Sequence, residues 1–128
     1  MPAAEVSSGN AVDEGSQKGR RGWFIGHFLP PGSGPAATDM VEVKWGVHAA
    51  GEGKAIEGIN RTAATMSLLV SGRFHLDFPS HRASVTLVRP GDYAVWSPGV
   101  SHRWRALEDS VVVTVRWPSQ PDDQSEPP

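Results

Sequence analysis

Histidine and carboxylate side chains are the groups in this sequence that can do acid–base or metal chemistry, because the chain of 128 residues contains five histidines and no cysteine. His102 follows a Pro-Gly turn in the segment SPGVSH (97–102). His48 and Glu52 form a second candidate pair, separated by a short glycine turn. An imidazole titrates near neutral pH and can act as donor, acceptor or metal ligand. Two histidines and one carboxylate can bind a transition metal ion, so these three residues define a possible metal or catalytic site.

Tryptophan supplies a second kind of candidate. Trp104 lies two residues after His102 on one predicted strand, so both side chains point to the same face. A tryptophan that faces inward offers a flat apolar surface and one N–H donor. The sequence has five tryptophans, which favours an aromatic-lined cavity even though core packing is the ordinary use of each single ring.

Three arginines on the last predicted strands, Arg103, Arg105 and Arg116, are candidates for anion binding. An arginine cluster can hold a carboxylate or phosphate through paired hydrogen bonds. Acidic residues such as Glu42 and Glu108 are available as partners, however, and surface arginines commonly pair with such residues. We therefore expect all three arginines at the surface.

The elements that must position these residues are predicted to be strands. MVEVKWGVH (40–48) and RFHLDF (73–78) alternate in character with a period of two, which indicates strands with two different faces. SVVVTVRW (110–117) is rich in β-branched residues and is predicted to be a central strand. Glycine and proline clusters such as RPGD (89–92) separate the short strands. The pattern predicts an all-β protein with about eight strands, arranged as a sandwich or barrel.

The two ends of the chain differ in composition from the rest. Residues 1–20 and 119–128 contain almost no large apolar side chains, so neither segment can bury enough apolar surface to offset its conformational entropy. We predict a disordered N-terminal tail over 1–20, one β-barrel domain over 21–118, and a disordered, acidic and proline-rich tail over 119–128.

Charge and composition exclude several functions. The formal net charge is −2 and no basic stripe is present, so nucleic acid is not an expected partner. No run of about 18 apolar residues predicts a membrane span, and the N-terminus lacks the apolar segment of a secretory signal. The absence of cysteine excludes disulfides and thiolate sites, and together these features predict a cytoplasmic protein. Motifs of serine hydrolases and of phosphate-binding loops are absent.

The chain from Val41 to Trp117 resembles the cupin superfamily. TLVRPGDYAVWSPGVSH (86–102) is similar to the second cupin motif, in which a Gly-Asp turn leads to a Pro-Gly turn and a histidine. Gly91 and His102 have the spacing of that motif, eleven positions. The resemblance implies an antiparallel double-stranded β-helix, also called a jelly-roll barrel, with His102 facing its interior. A narrower group of short bacterial cupins is similar over KWGVHAAGE (44–52), LLVSGRF (68–74) and LEDSVVVTVRWPS (107–119).

The first cupin motif is degenerate in this sequence. In the family it supplies two histidines and a glutamate, and the glutamate lies seven positions before the glycine that ends the strand. Counting back from Gly72 gives Thr65 at the glutamate position, and the histidine position falls in EGIN (57–60), which contains Asn60 but no histidine. The resemblance thus implies that Thr65 and Asn60 are neutral polar groups of the interior. It also implies that neither a metal ion nor another cofactor is held at the usual site.

The sequence predicts a small, metal-poor cupin that binds a small organic ligand in its barrel, as a sensor or accessory protein. The predicted ligand-binding residues are His102, Trp104, His48, Thr65 and Asn60. One alternative is a lyase, isomerase or cyclase that uses His102 with His48 and Glu52, with a displaced metal ion as an option. Another is a structural module whose main role is assembly. We also predict a homodimer, because LLVS (68–71) and SVVVTVRW (110–117) are apolar on both faces.

Overall fold

The computed structural model describes residues 5–54 and 56–125; the outermost parts of the two predicted tails lie outside the described residues. The described part contains one short α-helix, α1 (Ala11–Gly15), and ten β-strands. The strands are β1 (Trp23–Ile25), β2 (Glu42–His48), β3 (Ile59–Asn60), β4 (Ala64–Ser71), β5 (Phe74–Phe78), β6 (Ala83–Leu87), β7 (Tyr93–Trp96), β8 (Arg103–Ala106), β9 (Ser110–Trp117) and β10 (Gln124–Ser125). A 3₁₀ turn at Pro79–His81 joins β5 to β6. No helix in the described part is long and apolar enough to cross a membrane.

Two antiparallel sheets form the body of the protein. The five-stranded sheet has the order β1-β2-β9-β4-β7, and the three-stranded sheet has the order β6-β5-β8. β3 and β10 form a separate two-stranded ribbon. β9 lies between β2 and β4, which confirms that SVVVTVRW is a central strand. The predicted all-β class is confirmed as well.

The core lies between the two sheets. β4 and β9 contribute Leu69 and Val112 from the five-stranded sheet, and β5 contributes Phe74, Leu76 and Phe78 from the three-stranded sheet. These positions are two residues apart along β5, as the period of a strand requires. Complete burial of such a side chain contributes about 1.5–3 kcal/mol, so this cluster holds the two sheets together.

The five-stranded sheet has an apolar outer face and a largely polar inner face. Two outer rows cross the strands: Val43, Val115, Met66 and Val95, then Trp45, Val113, Leu68 and Tyr93. Because successive side chains point to opposite faces, the intervening residues form the inner rows. These inner rows are Glu42, Arg116, Thr65 and Trp96, then Lys44, Thr114, Ser67 and Ala94. Charged and hydroxyl side chains therefore point into the barrel.

The N-terminal segment, for which the sequence predicts a disordered tail, contains one short helix among its described residues. Residues 5–20 contain α1, whose first turn is capped by the Asn10 side chain. α1 ends at Gly15, where a Cβ atom would come within 2.7 Å of the Gly22 backbone oxygen. The Gly22 N–H donates to the Gly15 carbonyl at 2.9 Å. A side-chain cap and a close backbone contact order this segment, and a count of apolar residues detects neither.

The C-terminal segment, for which the sequence also predicts a tail, contacts the barrel through its described residues. Residues 119–125 include the buried Ser119 and Asp123, and β10 pairs with β3. The Ser119 hydroxyl donates to the Glu42 carboxylate at 2.8 Å. The Asp123 carboxylate accepts from the backbone N–H groups of residues 62 and 63, just before β4, at 2.9 and 3.1 Å. Polar contacts rather than an apolar core hold this segment, so its composition did not indicate order.

Candidate ligand-binding site

A cavity of about 360 Å³ lies between the two sheets. β2, β4 and β9 provide one wall, and β5 and β8 contribute to the facing wall. Its cationic lining residues are Arg21, Lys44, Lys54 and Arg116; its rings are Trp23, His48, Phe74, Trp96, His102 and Trp104; its hydroxyl and amide groups are Thr65, Ser67, Thr114 and Gln124. Ligand-binding pockets commonly measure about 300–1,000 Å³, so the cavity suits a small ligand.

The structure brings four of the five predicted ligand-binding residues to this cavity, namely His48, Thr65, His102 and Trp104. Asn60 does not line it. The buried Asn60 side-chain nitrogen donates to Asp123 at 3.3 Å, and the backbone carbonyl of Asn60 accepts from the Gly99 N–H at 2.8 Å. The Asn60 side-chain nitrogen therefore contacts the C-terminal segment beside β10 instead of the cavity, and its side-chain oxygen has no partner among the described residues.

His102 is buried, and both of its ring nitrogens have partners in the protein. Nδ1 lies 3.3 Å from the carbonyl oxygen of Val100, which can only accept, so Nδ1 carries the proton. Nε2 lies 3.2 Å from the amide nitrogen of Gln124 and accepts its hydrogen bond. Burial lowers the pKa of His102 to about 4, because desolvation disfavours the charged imidazolium. At neutral pH His102 is therefore uncharged, and its lone pair is engaged by Gln124.

His48 belongs to a cluster of rings where β2 meets β5 and β8. Its ring centroid lies 4.3 Å from that of Trp104, and the Trp104 and Phe74 rings stack at 5.3 Å. Its Nδ1 lies 3.5 Å from the Glu52 carboxylate. Burial and the nearby charge of Lys44 lower the pKa of His48, and Glu52 opposes them. The ring cluster gives this part of the cavity an apolar, aromatic surface.

The residues present do not fit the metal ion that the cupin motifs would hold. Thr65, at the family's glutamate position, offers a hydroxyl, and its partner across the strands is the cationic Arg116. The alternative set of His48, Glu52 and His102 does not converge, because no three His, Asp or Glu side chains in the described part of the chain are grouped so as to share an ion. A fixed positive charge also repels a divalent cation.

Arg116 and Lys44 are site residues that the sequence pattern did not identify. We expected Arg116 at the surface, but its side chain is 16% exposed and its guanidinium lies 4.7 Å from the Trp23 ring centroid. Its Nη1 lies 3.6 Å from Glu42. Arg116 points inward because its neighbours on β9 belong to the apolar outer face. For Lys44 the sequence did contain a signal. Lys44 shares a strand face with His48, which was a predicted cavity residue.

Three buried polar atoms of the cavity wall have no hydrogen-bond partner in the described part of the protein. They are Thr65 Oγ1, Trp96 Nε1 and Arg116 Nε. Thr65 lies directly across from Trp96 on β7 and from Arg116 on β9, so the three side chains form one row. Each buried, unpaired group of this kind costs about 1–3 kcal/mol, and native proteins leave few of them unpaired.

No family model matches the sequence, and no curated protein matches it significantly. Solved structures do match. KdgF from Halomonas sp. is similar with a TM-score of 0.58 and 23% identity, over 66% of this chain and 74% of that one. A protein with a double-stranded β-helix domain from Klebsiella pneumoniae has a TM-score of 0.60 and 17% identity, over 71% and 77% of the two chains. A cupin superfamily protein from Desulfitobacterium hafniense has a TM-score of 0.55 and 17% identity, over 64% and 71%. Similarity at this level of identity shows the fold alone, and the chain therefore has the double-stranded β-helix fold that these structures share.

Proposed function

We propose that this protein binds a small organic ligand in its barrel cavity and does so without a resident metal ion. One observation carries the proposal: a cavity of about 360 Å³ combines the stacked rings of Phe74 and Trp104 with buried polar atoms. An apolar wall with a few convergent polar groups is the usual composition of a ligand pocket. Such a site fits a sensor or accessory protein, because binding alone performs that role.

The charges at the cavity support binding without a metal ion. Lys44 and Arg116 both line it, and two fixed cations oppose the entry of a divalent ion. Elemental analysis of protein purified without a histidine tag is expected to find well below one equivalent of transition metal per chain. Metal near one equivalent that is lost in both His48→Ala and His102→Ala would contradict this part of the proposal.

Tryptophan fluorescence tests ligand binding, because Trp23, Trp96 and Trp104 all line the cavity. We expect a screen of small metabolites to give at least one ligand that changes the fluorescence in a saturable manner. Trp104→Leu should lower the affinity for that ligand about tenfold, since an aromatic contact of this kind contributes up to about 1.5 kcal/mol.

Trp117→Phe is the matched control for that screen. Trp117 is 42% exposed and does not line the cavity, so its replacement should leave the affinity unchanged. A screen without any saturable ligand would contradict the proposal, and so would equal weakening in both variants.

The contact between His48 and Glu52 favours a second candidate function, an acid–base lyase or isomerase. A histidine at a cavity wall with a carboxylate 3.5 Å away has the arrangement of a general base and its orienting group. Such an enzyme removes a proton from a carbon atom of its substrate. Proton NMR of the ligand and protein in deuterium oxide should then show exchange at one carbon, abolished by His48→Gln. A ligand that retains all its carbon-bound protons counts against the enzyme.

A further inference from the structure

The row formed by Thr65, Trp96 and Arg116 lacks an acceptor. Trp96 Nε1 and Arg116 Nε are N–H groups that can only donate, and the Thr65 hydroxyl can donate as well. All three atoms are buried without a partner in the described part of the protein. Thr65 stands between the other two residues, so the three residues are neighbours on the inner face of the five-stranded sheet. A ligand group that places acceptor oxygens along this row would satisfy them.

The charges around the row favour a negatively charged acceptor. Four cationic side chains line the cavity, namely Arg21, Lys44, Lys54 and Arg116, and no Asp or Glu among the described residues does so. Glu42 lies 3.6 Å from Arg116, but it also accepts from Ser119 and does not line the cavity. Burial and the charge of Arg116 lower the pKa of Lys44, as expected where positive charges crowd together. An anion in the cavity relieves that crowding.

The kind of donors in the row favours a carboxylate. A carboxylate presents two oxygens in one plane, and an arginine with neighbouring donors can bind such an edge. A phosphate presents three oxygens in a tetrahedron and is commonly bound by several backbone N–H groups or by a helix N-terminus. The walls of this cavity are strands whose backbone groups pair within the sheets, which leaves side-chain donors for the ligand.

We propose that the ligand is a small organic acid, an inference that rests on the proposed ligand-binding function. Its carboxylate accepts hydrogen bonds from Arg116 Nε, Trp96 Nε1 and Thr65 Oγ1. Lys44 and Arg116 balance its charge. Its apolar body lies against the ring cluster that contains Trp104. Arg116 and Thr65 thereby select for a carboxylate over a neutral group of the same shape.

Two matched series of compounds test the inference, one built on a phenyl ring and one on a branched aliphatic chain. Each series contains a carboxylate, the primary amide, an amine and a phosphate monoester. Isothermal titration calorimetry with the full chain should show the carboxylate of at least one series binding about tenfold tighter than its amide, because hydrogen bonds to charged groups are the stronger ones. The amine should not bind, because the cavity is cationic.

Four variants identify the residues that select the carboxylate. Thr65→Val and Arg116→Gln should each lower the affinity for the carboxylate about tenfold. The affinity for the amide should fall about twofold or less. Thr86→Val and Arg103→Gln change the same residue types outside the cavity and should change neither affinity. Circular dichroism verifies that each variant is folded. If Arg116→Gln does not fold, Arg116→Lys, which retains the charge but not the Nε donor, should show the same loss.

The outcomes separate this inference from the function on which it rests. Equal affinity for carboxylate and amide, unchanged in Thr65→Val and Arg116→Gln, would overturn the organic acid and retain a ligand-binding barrel. Tighter binding of the phosphate in both series would overturn the carboxylate assignment. A metabolite that binds without carrying a carboxylate would do the same. Failure of both series together with the metabolite screen would instead remove the ligand-binding function itself.

Discussion

The Thr65 hydroxyl is buried on the inner face of β4 without a partner in the described part of the protein. Thr65→Val removes the hydroxyl and retains the shape of the side chain, so it should raise the free energy of unfolding of the ligand-free protein by about 1 kcal/mol. Urea denaturation measures this change. The control Thr86→Val removes an exposed hydroxyl that lies 2.8 Å from His75 Nδ1, and should change stability by about 0.5 kcal/mol or less. A destabilised Thr65→Val would show that the hydroxyl is paired in solution.

The pKa of His102 makes the stability of the protein depend on pH. Burial lowers it to about 4, from an ordinary value of 6.5. Below pH 6.5 the unfolded chain therefore binds a proton that the folded chain does not, and stability falls as the pH drops toward 4, by about 3 kcal/mol in total. Above pH 6.5 the imidazole is neutral in both states and contributes no pH dependence.

Chemical denaturation of wild type and His102→Gln at several pH values between about 7 and 4.5 checks this expectation. In His102→Gln the part of the pH dependence of the unfolding free energy that comes from His102 should be absent, because glutamine does not titrate. His81→Gln changes an exposed histidine, and its free energy of unfolding should depend on pH as strongly as that of wild type. Parallel profiles for wild type and His102→Gln would contradict the buried, neutral imidazole.

The residues at the cavity show how far single positions could be predicted. His102 and Thr65 were assigned from their places in a motif, because the motif's turns fix which strand residues point inward. Arg116 could not be assigned in this way. A period of two separates the two faces of a strand, and the apolar face is normally taken as the inner one. In this sheet the apolar face is the outer one, so the rule assigns Arg116 to the wrong side. Asn60 was placed by its motif position, but its side-chain nitrogen donates to Asp123, which is far away in the sequence.

At the scale of the strands, the outer face of the five-stranded sheet is the feature that favours a homodimer. Its two rows hold eight side chains, and none of them is charged. Tyr93 and Val95 are more than half exposed, and apolar surface of this extent usually marks an interface. A second copy of the chain presents the same uncharged face, so we expect the two sheets to pack on each other about a two-fold axis.

Sedimentation velocity measures this assembly. Wild type should be dimeric at tens of micromolar, and Val95→Glu should shift it to monomer, because a charge at an exposed position of the interface must be desolvated. Val88→Glu is the matched control, since Val88 is similarly exposed but lies outside the two rows. A monomeric wild type would contradict the homodimer.

The short strand β10 is held by a carboxylate more than by apolar contacts. Asp123 accepts hydrogen bonds from the N–H groups of residues 62 and 63 and from Asn60. Asp123→Asn retains the shape but replaces one acceptor oxygen with an N–H donor, so we expect a loss of about 2 kcal/mol in the free energy of unfolding. Urea denaturation tests this, with Asp122→Asn at the exposed neighbouring position as a control that should change little. Equal effects of the two variants would mean that these hydrogen bonds do not hold β10.

At the scale of the whole molecule, the barrel could be predicted from the sequence, whereas the contacts of its two ends could not. Strands such as RFHLDF (73–78) alternate regularly, and turns such as Pro90-Gly91-Asp92 separate them, so local pattern and global fold agree. Residues 119–125 show no such pattern. These residues are held by buried polar contacts with β2 and with the turn before β4. The sequence of one segment does not show which distant residues it contacts.

β9 pairs on one side with β2 and on the other with β4, so Arg116 lies opposite residues 42 and 65, both far away in the sequence. Chains dominated by such distant pairings fold in milliseconds to seconds, because long loops must close before the contacts form. Before β9 inserts, β2 and β4 have no common neighbour, and the wall of the cavity does not exist. Binding capacity should therefore return only in the kinetic phase that completes the sheet. In stopped-flow refolding, the rate at which a ligand begins to be captured would then report the insertion of one strand.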